Sequence, residues 1–187
     1  MDFKHHIETA WTLTLANIVP LILLTLVMAA VSFLTLGILA PVITAGYFQS
    51  LLLLLRSGRE PKIQDLFSHM RLFLPLLIFG LAIAVLAVIG FALLFLPGIL
   101  FLLAVALFCT YMLPLMTDQN MGVIDAVKES YAMSRRGEFM DHIVVVILFS
   151  AVTTIGGSFF VGMLFTQPLA TLFLLSVYEE KINAPIP

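Results

Sequence analysis

Residues 72–117, LFLPLLIFGLAIAVLAVIGFALLFLPGILFLLAVALFCTYMLPLMT, form a run of 46 without one Asp, Glu, Lys or Arg. A hydrocarbon layer about 30 Å thick takes about 20 helical residues per crossing, so the run holds two crossings and a turn. Pro97-Gly98 lies near its middle. Proline stops a helix by removing a donor and clashing with the preceding turn, and glycine accepts the angles of a reversal. The stretch therefore predicts a membrane hairpin turning back at Pro97-Gly98.

Working outward, Glu8 and Arg56 bracket a charge-free run of 47 residues, and Asp141 and Glu179 bracket one of 37. Each holds two helices, with turns expected within residues 37–41 and 156–168. A short amphipathic stretch precedes each hairpin. Phe3, Ile7 and Trp11 oppose Lys4, His5, Glu8 and Thr9. After Pro61 come Ile63, Leu66, Phe67 and Met70, and later Val123, Ile124, Val127 and Tyr131 oppose Asp125, Lys128, Glu129 and Arg135, with Gly137 closing that helix. The fold class is an all-α membrane protein: six transmembrane helices as three hairpins, each preceded by an amphipathic interfacial helix. It forms a single integral membrane domain over 1–187, with a threefold repeat expected over 1–58, 59–118 and 119–187.

Composition agrees. The chain is 61 % hydrophobic and 11 % charged, with mean hydropathy +1.14, whereas a soluble domain carries about a quarter charged residues. A net charge of -2 offers no basic field for nucleic acid. The lone Cys109 allows no intramolecular disulfide. Asp2 and Glu8 spoil a cleavable leader, so the N-terminus is expected to stay as the first membrane element.

All nine basic residues fall in the tails or the two polar loops: Lys4; Arg56, Arg59, Lys62 and Arg71; Lys128, Arg135 and Arg136; Lys181. With three hairpins they share one side. Basic residues stay cytoplasmic, which places both termini and both polar loops inside.

From Pro97-Gly98-Ile99 through Leu113-Pro114 to Asp118-Gln119-Asn120-Met121-Gly122-Val123-Ile124-Asp125-Ala126 and Ser130, the chain resembles the YciC-like family of uncharacterised bacterial inner-membrane proteins. More distantly it is similar to the membrane domain of some glycerophosphodiester phosphodiesterases. The resemblance implies a multi-pass inner-membrane protein and no particular activity.

Chemistry-bearing constellations are sparse. His5, His6, His69 and His142 lie beside Asp2, Asp65 and Asp141, but without metal-site spacing such as H-x-x-x-H, so no metal is expected. Nucleotide loops, nucleophile elbows and paired carboxylates at depth are absent from the sequence, which points away from an enzyme or a cofactor. Arg135 and Arg136 could contact a lipid phosphate. Gln49, Thr110, Ser158 and Gln167 could line a polar membrane path, although interhelical hydrogen bonding is the commoner role of such residues. The leading expectation is a non-enzymatic scaffold or accessory subunit, with membrane lipids and a partner membrane protein or second copy as partners. The alternative is a transport component for a neutral or hydrophobic solute, and a third is a wedge that shapes the membrane.

Overall fold

The computed structural model describes residues 2–93 and 95–183, and among these there are helices and no strands. Nine α-helices follow in order: α1 Phe3–Ala16, α2 Ile18–Leu34, α3 Ala40–Ser57, α4 Phe73–Leu93, α5 Phe95–Phe108, α6 Met112–Asp118, α7 Val123–Ser134, α8 Phe139–Gly157 and α9 Phe160–Asn183. Two 3-10 turns, Ile63–Phe67 and Met70–Leu72, lie between α3 and α4. Four helical segments are long and apolar enough to cross a membrane: Ile63–Leu93, Phe95–Asp118, Phe139–Gly157 and Val161–Asn183. A fifth results if α1 and α2, bent by 90°, count together.

Prolines start these helices rather than end them. Pro20, Pro75 and Pro114 each stand third in their helix, Pro41 stands second, and Pro97 lies within α5. First-turn N–H groups have no intrahelical acceptor, so a proline there sacrifices nothing. This corrects the turn assigned to Pro97-Gly98, since both residues lie inside the helical span Phe95–Phe108. Gly98 serves a different purpose. A Cβ on Gly90 would come within 2.9 Å of the Gly98 Cα, so the pair lets α4 and α5 approach closely. Pro168 is the exception, inside α9.

Between α2 and α3 the reversal falls where expected. Gly37 has φ 81 and Leu36 has φ 50, and the Gly37 amide donates to the Ser32 carbonyl at 2.7 Å. Between α8 and α9 it occupies Ser158 and Phe159. There Gly156 packs so tightly on Thr166 that any side chain would overlap the threonine hydroxyl.

The amphipathic stretches differ from expectation in detail. At Asn17, α1 turns sharply into α2, and Asn17 Nδ2 donates to the Leu13 carbonyl at 3.1 Å. The buried stripe of α1 is His6, Ala10 and Thr14, while Ile7, Trp11 and Leu15 are about half exposed. The second stretch is 3-10, not α: Leu66 is fully buried while Ile63, Phe67 and Met70 remain exposed. Its backbone lies directly on α3, since a Cβ on Gly46 would overlap the Leu66 and Asp65 carbonyl oxygens.

The core is built on α3 and α9. Val42, Ile43, Tyr47, Leu51 and Leu54 of the first meet Leu172, Leu174, Leu175, Val177 and Tyr178 of the second within one buried cluster. The long apolar stretch is peripheral by comparison: of α4 only Leu76 is buried, and of α5 only Gly98. The most apolar 18 residues of its first half are 11 % buried, against 56 % for α9.

Candidate functional site

Charged side chains gather where α3, α6 and α9 end. Arg56, in the last turn of α3, grips Asp118 of α6 with both terminal nitrogens: Nη1 donates to Oδ1, and Nη2 to Oδ2 at 2.9 Å. Its Nε donates to Glu179 Oε1 at 2.5 Å. Tyr178 adds its hydroxyl to Asp118 Oδ2 at 2.9 Å. Asp118 is only 7 % exposed, so the fork replaces hydration the carboxylate has lost. The Asp118 hydrogen bonds raise the Arg56 pKa; partial burial opposes them and Glu179 adds to them. The guanidinium stays charged.

Beside this clamp, α1 is fastened to α9. His6, 2 % exposed, places Nε2 2.7 Å from Glu180 Oε2 and Nδ1 2.7 Å from Ser176 Oγ. A carboxylate only accepts, so Nε2 carries the hydrogen. In the neutral ring Nδ1 then accepts from the Ser176 hydroxyl. Ser176 and Glu180 stand one helical turn apart, which the imidazole spans. A groove of about 620 Å³ opens here, lined by His5, His6 and Thr9 of α1, Arg56 of α3, and Ser176 and Glu180 of α9 among others.

A second polar cluster repairs the break between α5 and α6. The interruption frees the Leu107 carbonyl and the Tyr111 amide. His142 Nε2 donates to the former at 2.7 Å and Ser130 Oγ accepts from the latter at 3.1 Å. With its hydrogen on Nε2, His142 takes the Tyr111 hydroxyl on Nδ1 at 3.3 Å. Lys181 caps the end of α7 through the Met133 and Arg136 carbonyls, at 2.9 and 3.1 Å. Asp65 Oδ2 holds the 3-10 segment down, accepting from Ser50 at 2.7 Å, Arg59 at 2.5 Å and the Lys62 amide at 3.1 Å.

The residues singled out in the sequence are dispersed. Arg136 donates to Glu129 at 2.6 Å, while Arg135 donates to the Tyr131 hydroxyl at 2.9 Å and lies over its ring. Both guanidiniums are thus engaged within their own segment. Thr110 and Ser158 donate back to carbonyls of the helices they follow, at 2.6 Å to Ala106 and 3.0 Å to Thr154. Gln49 keeps a buried Oε1 without a partner. Gln167 lines a cavity of about 660 Å³ shared with Ser32, Thr44, Phe33 and Met163.

His6 and His142 are buried and bonded, because each satisfies groups from distant elements. His69 bonds Ser68 at 2.8 Å. Among the described residues, no three His, Cys, Asp or Glu side chains gather as a metal site.

The clamp itself was missed, though its signal was present. Arg56, Asp118 and Glu179 are the C-terminal brackets of the three charge-free runs. Residues that close successive hairpins return to the same end and can meet there. Comparison of the chain with family models, curated proteins and solved structures found no match.

Proposed function

We propose that this chain is a multi-pass integral protein of the bacterial inner membrane that works as a non-enzymatic scaffold or accessory subunit, contacting lipid and a partner membrane protein or second copy. Its charged end and both termini face the cytoplasm. The observation carrying this reading is the contrast between a cross-bonded end and a bare hairpin. Arg56 ties α3, α6 and α9 together, while α4 and α5 expose apolar residues along their length, including Ile78, Leu81, Val88 and Leu100. Such a surface needs acyl chains or another apolar helix against it.

Six crossings as three hairpins, α2/α3, α4/α5–α6 and α8/α9, fit this arrangement, with α1 lying along the interface. The 90° bend at Asn17 supports that placement of α1. A short segment followed by two long helices recurs three times in chain order, in keeping with an internal repeat. The resemblance to YciC-like proteins points the same way. The second reading, transport of a neutral or hydrophobic solute, is favoured by the largely apolar cavity beside Gln167.

Sidedness is tested by single cysteines at Gly37 and Arg59 in a Cys109→Ser background, labelled in intact cells with an impermeant maleimide. Labelling at position 37 and protection at 59 are expected; the opposite pattern, or both on one side, overturns the topology. Copurification in mild detergent separates the functions: a stoichiometric polypeptide supports the scaffold, and a tightly held apolar small molecule supports transport.

A further inference from the structure

The groove between α1, α3 and α9 is chemically one-sided. Arg56 is its one guanidinium, and Asp118 and Glu179 both occupy it. The second Glu179 oxygen takes the Asn183 side-chain amide at 3.3 Å. Glu180 is left with an imidazole on Oε2, and its side chain remains 49 % exposed. Against the neutral imidazole of His6, Ser176 donates its hydrogen to Nδ1, which leaves the hydroxyl lone pairs to accept. The groove therefore presents carboxylate and hydroxyl oxygens as acceptors.

An anionic ligand would meet the Glu180 carboxylate; among the described residues, Lys4 of α1 is paired with Glu8 at 3.7 Å, Arg56 is taken by Asp118 and Glu179, and Lys181 donates to the Met133 and Arg136 carbonyls. A bound metal ion would need more converging oxygen or nitrogen ligands than gather here. The groove also opens on a particular flank of α1. His5 and Thr9 face it with the last turns of α9, whereas Ile7 and Trp11 line a separate apolar cleft with Leu169 and Phe173, nearer the middle of α9. The polar opening thus turns away from the apolar flank.

We propose that this groove binds an organic ammonium group, hydrogen-bonded to Glu180 and Ser176. A soluble polyamine is one source of such a group, and the headgroup of an aminophospholipid is the other. The proposal extends the functional reading above without depending on it: cysteine mapping reports sidedness whatever binds, and titration reports binding whatever the sidedness.

The test is calorimetric titration of the full chain in a non-ionic detergent with spermidine, with short-chain phosphatidylethanolamine, and with short-chain phosphatidylglycerol. Saturable binding of an amine-bearing probe is expected, weakened about tenfold by Glu180→Gln through loss of a charge-assisted hydrogen bond. Asn183→Lys, at an exposed rim position, supplies a tethered ammonium and should block the groove even if Glu180→Gln does not fold. Spermidine binding assigns the soluble source; binding of phosphatidylethanolamine alone assigns the lipid. Equal binding of phosphatidylglycerol, no binding of either amine, or amine binding unchanged in the folded variants overturns the proposal.

Discussion

Arg56 and Asp118 stand 62 positions apart in sequence and meet through a two-pronged ion pair at the common end of α3 and α6. Asp118 is nearly enclosed while Arg56 is about one third exposed, so the pair lies between a surface bridge and a buried one. Removing the arginine leaves a carboxylate out of water with only Tyr178 and Gln119 to support it.

Arg56→Ala is therefore expected to destabilise the protein by about 2 kcal/mol, a buried-pair loss discounted for partial screening. Arg56→Lys should recover only part of this, because an ammonium cannot reproduce the fork. Thermal unfolding in mild detergent, followed by circular dichroism, measures both. Equal melting temperatures for the wild type and Arg56→Ala would mean that the pair contributes nothing.

Gly46 tests the contact between α3 and the 3-10 segment. A methyl group there would collide with the Asp65 and Leu66 carbonyls, which are backbone and cannot swing aside. Gly46→Ala should cost about 1–3 kcal/mol, as overpacking does, and should expose Leu66. Protease sensitivity of the loop between α3 and α4 is the readout, with Gly80→Ala, in open space, as the tolerated comparison.

His142 and Ser130 satisfy the groups freed between α5 and α6. Ser130→Ala is expected to cost about 1–3 kcal/mol, because the Tyr111 amide is left buried without its acceptor, and His142→Phe less, because the Thr110 hydroxyl at 3.2 Å still donates to the Leu107 carbonyl. Hydrogen exchange at Tyr111 should accelerate in Ser130→Ala, which removes its acceptor. Unchanged exchange there would show that Ser130 is dispensable at the break.

Leu81, 66 % exposed on α4, probes what surrounds the bare hairpin. In a bilayer, Leu81→Lys near mid-helix should cost about 2.5–3.5 kcal/mol of insertion free energy. The same change at Thr9 of α1 should cost far less if α1 lies along the interface. Carbonate extraction of cell membranes reads the difference, and equal retention of both variants would argue against α4 crossing.

By itself, the sequence determined that the chain is helical and apolar enough for a membrane, because runs bounded by Glu8 and Arg56, Arg71 and Asp118, and Asp141 and Glu179 admit little else. It also located the turn at Gly37, where positive φ favours glycine. Only the tertiary structure decided which helices form the centre. Hydropathy is highest in the run over 72–117, yet the core belongs to α3 and α9, whose small and polar residues let helices pack where apolar character alone does not discriminate between lipid and protein. The same holds for the candidate site. His6 and Glu180 are 174 positions apart, and neither carries a local pattern that names the other. Their pairing exists because α1 folds back across α9 after the bend at Asn17.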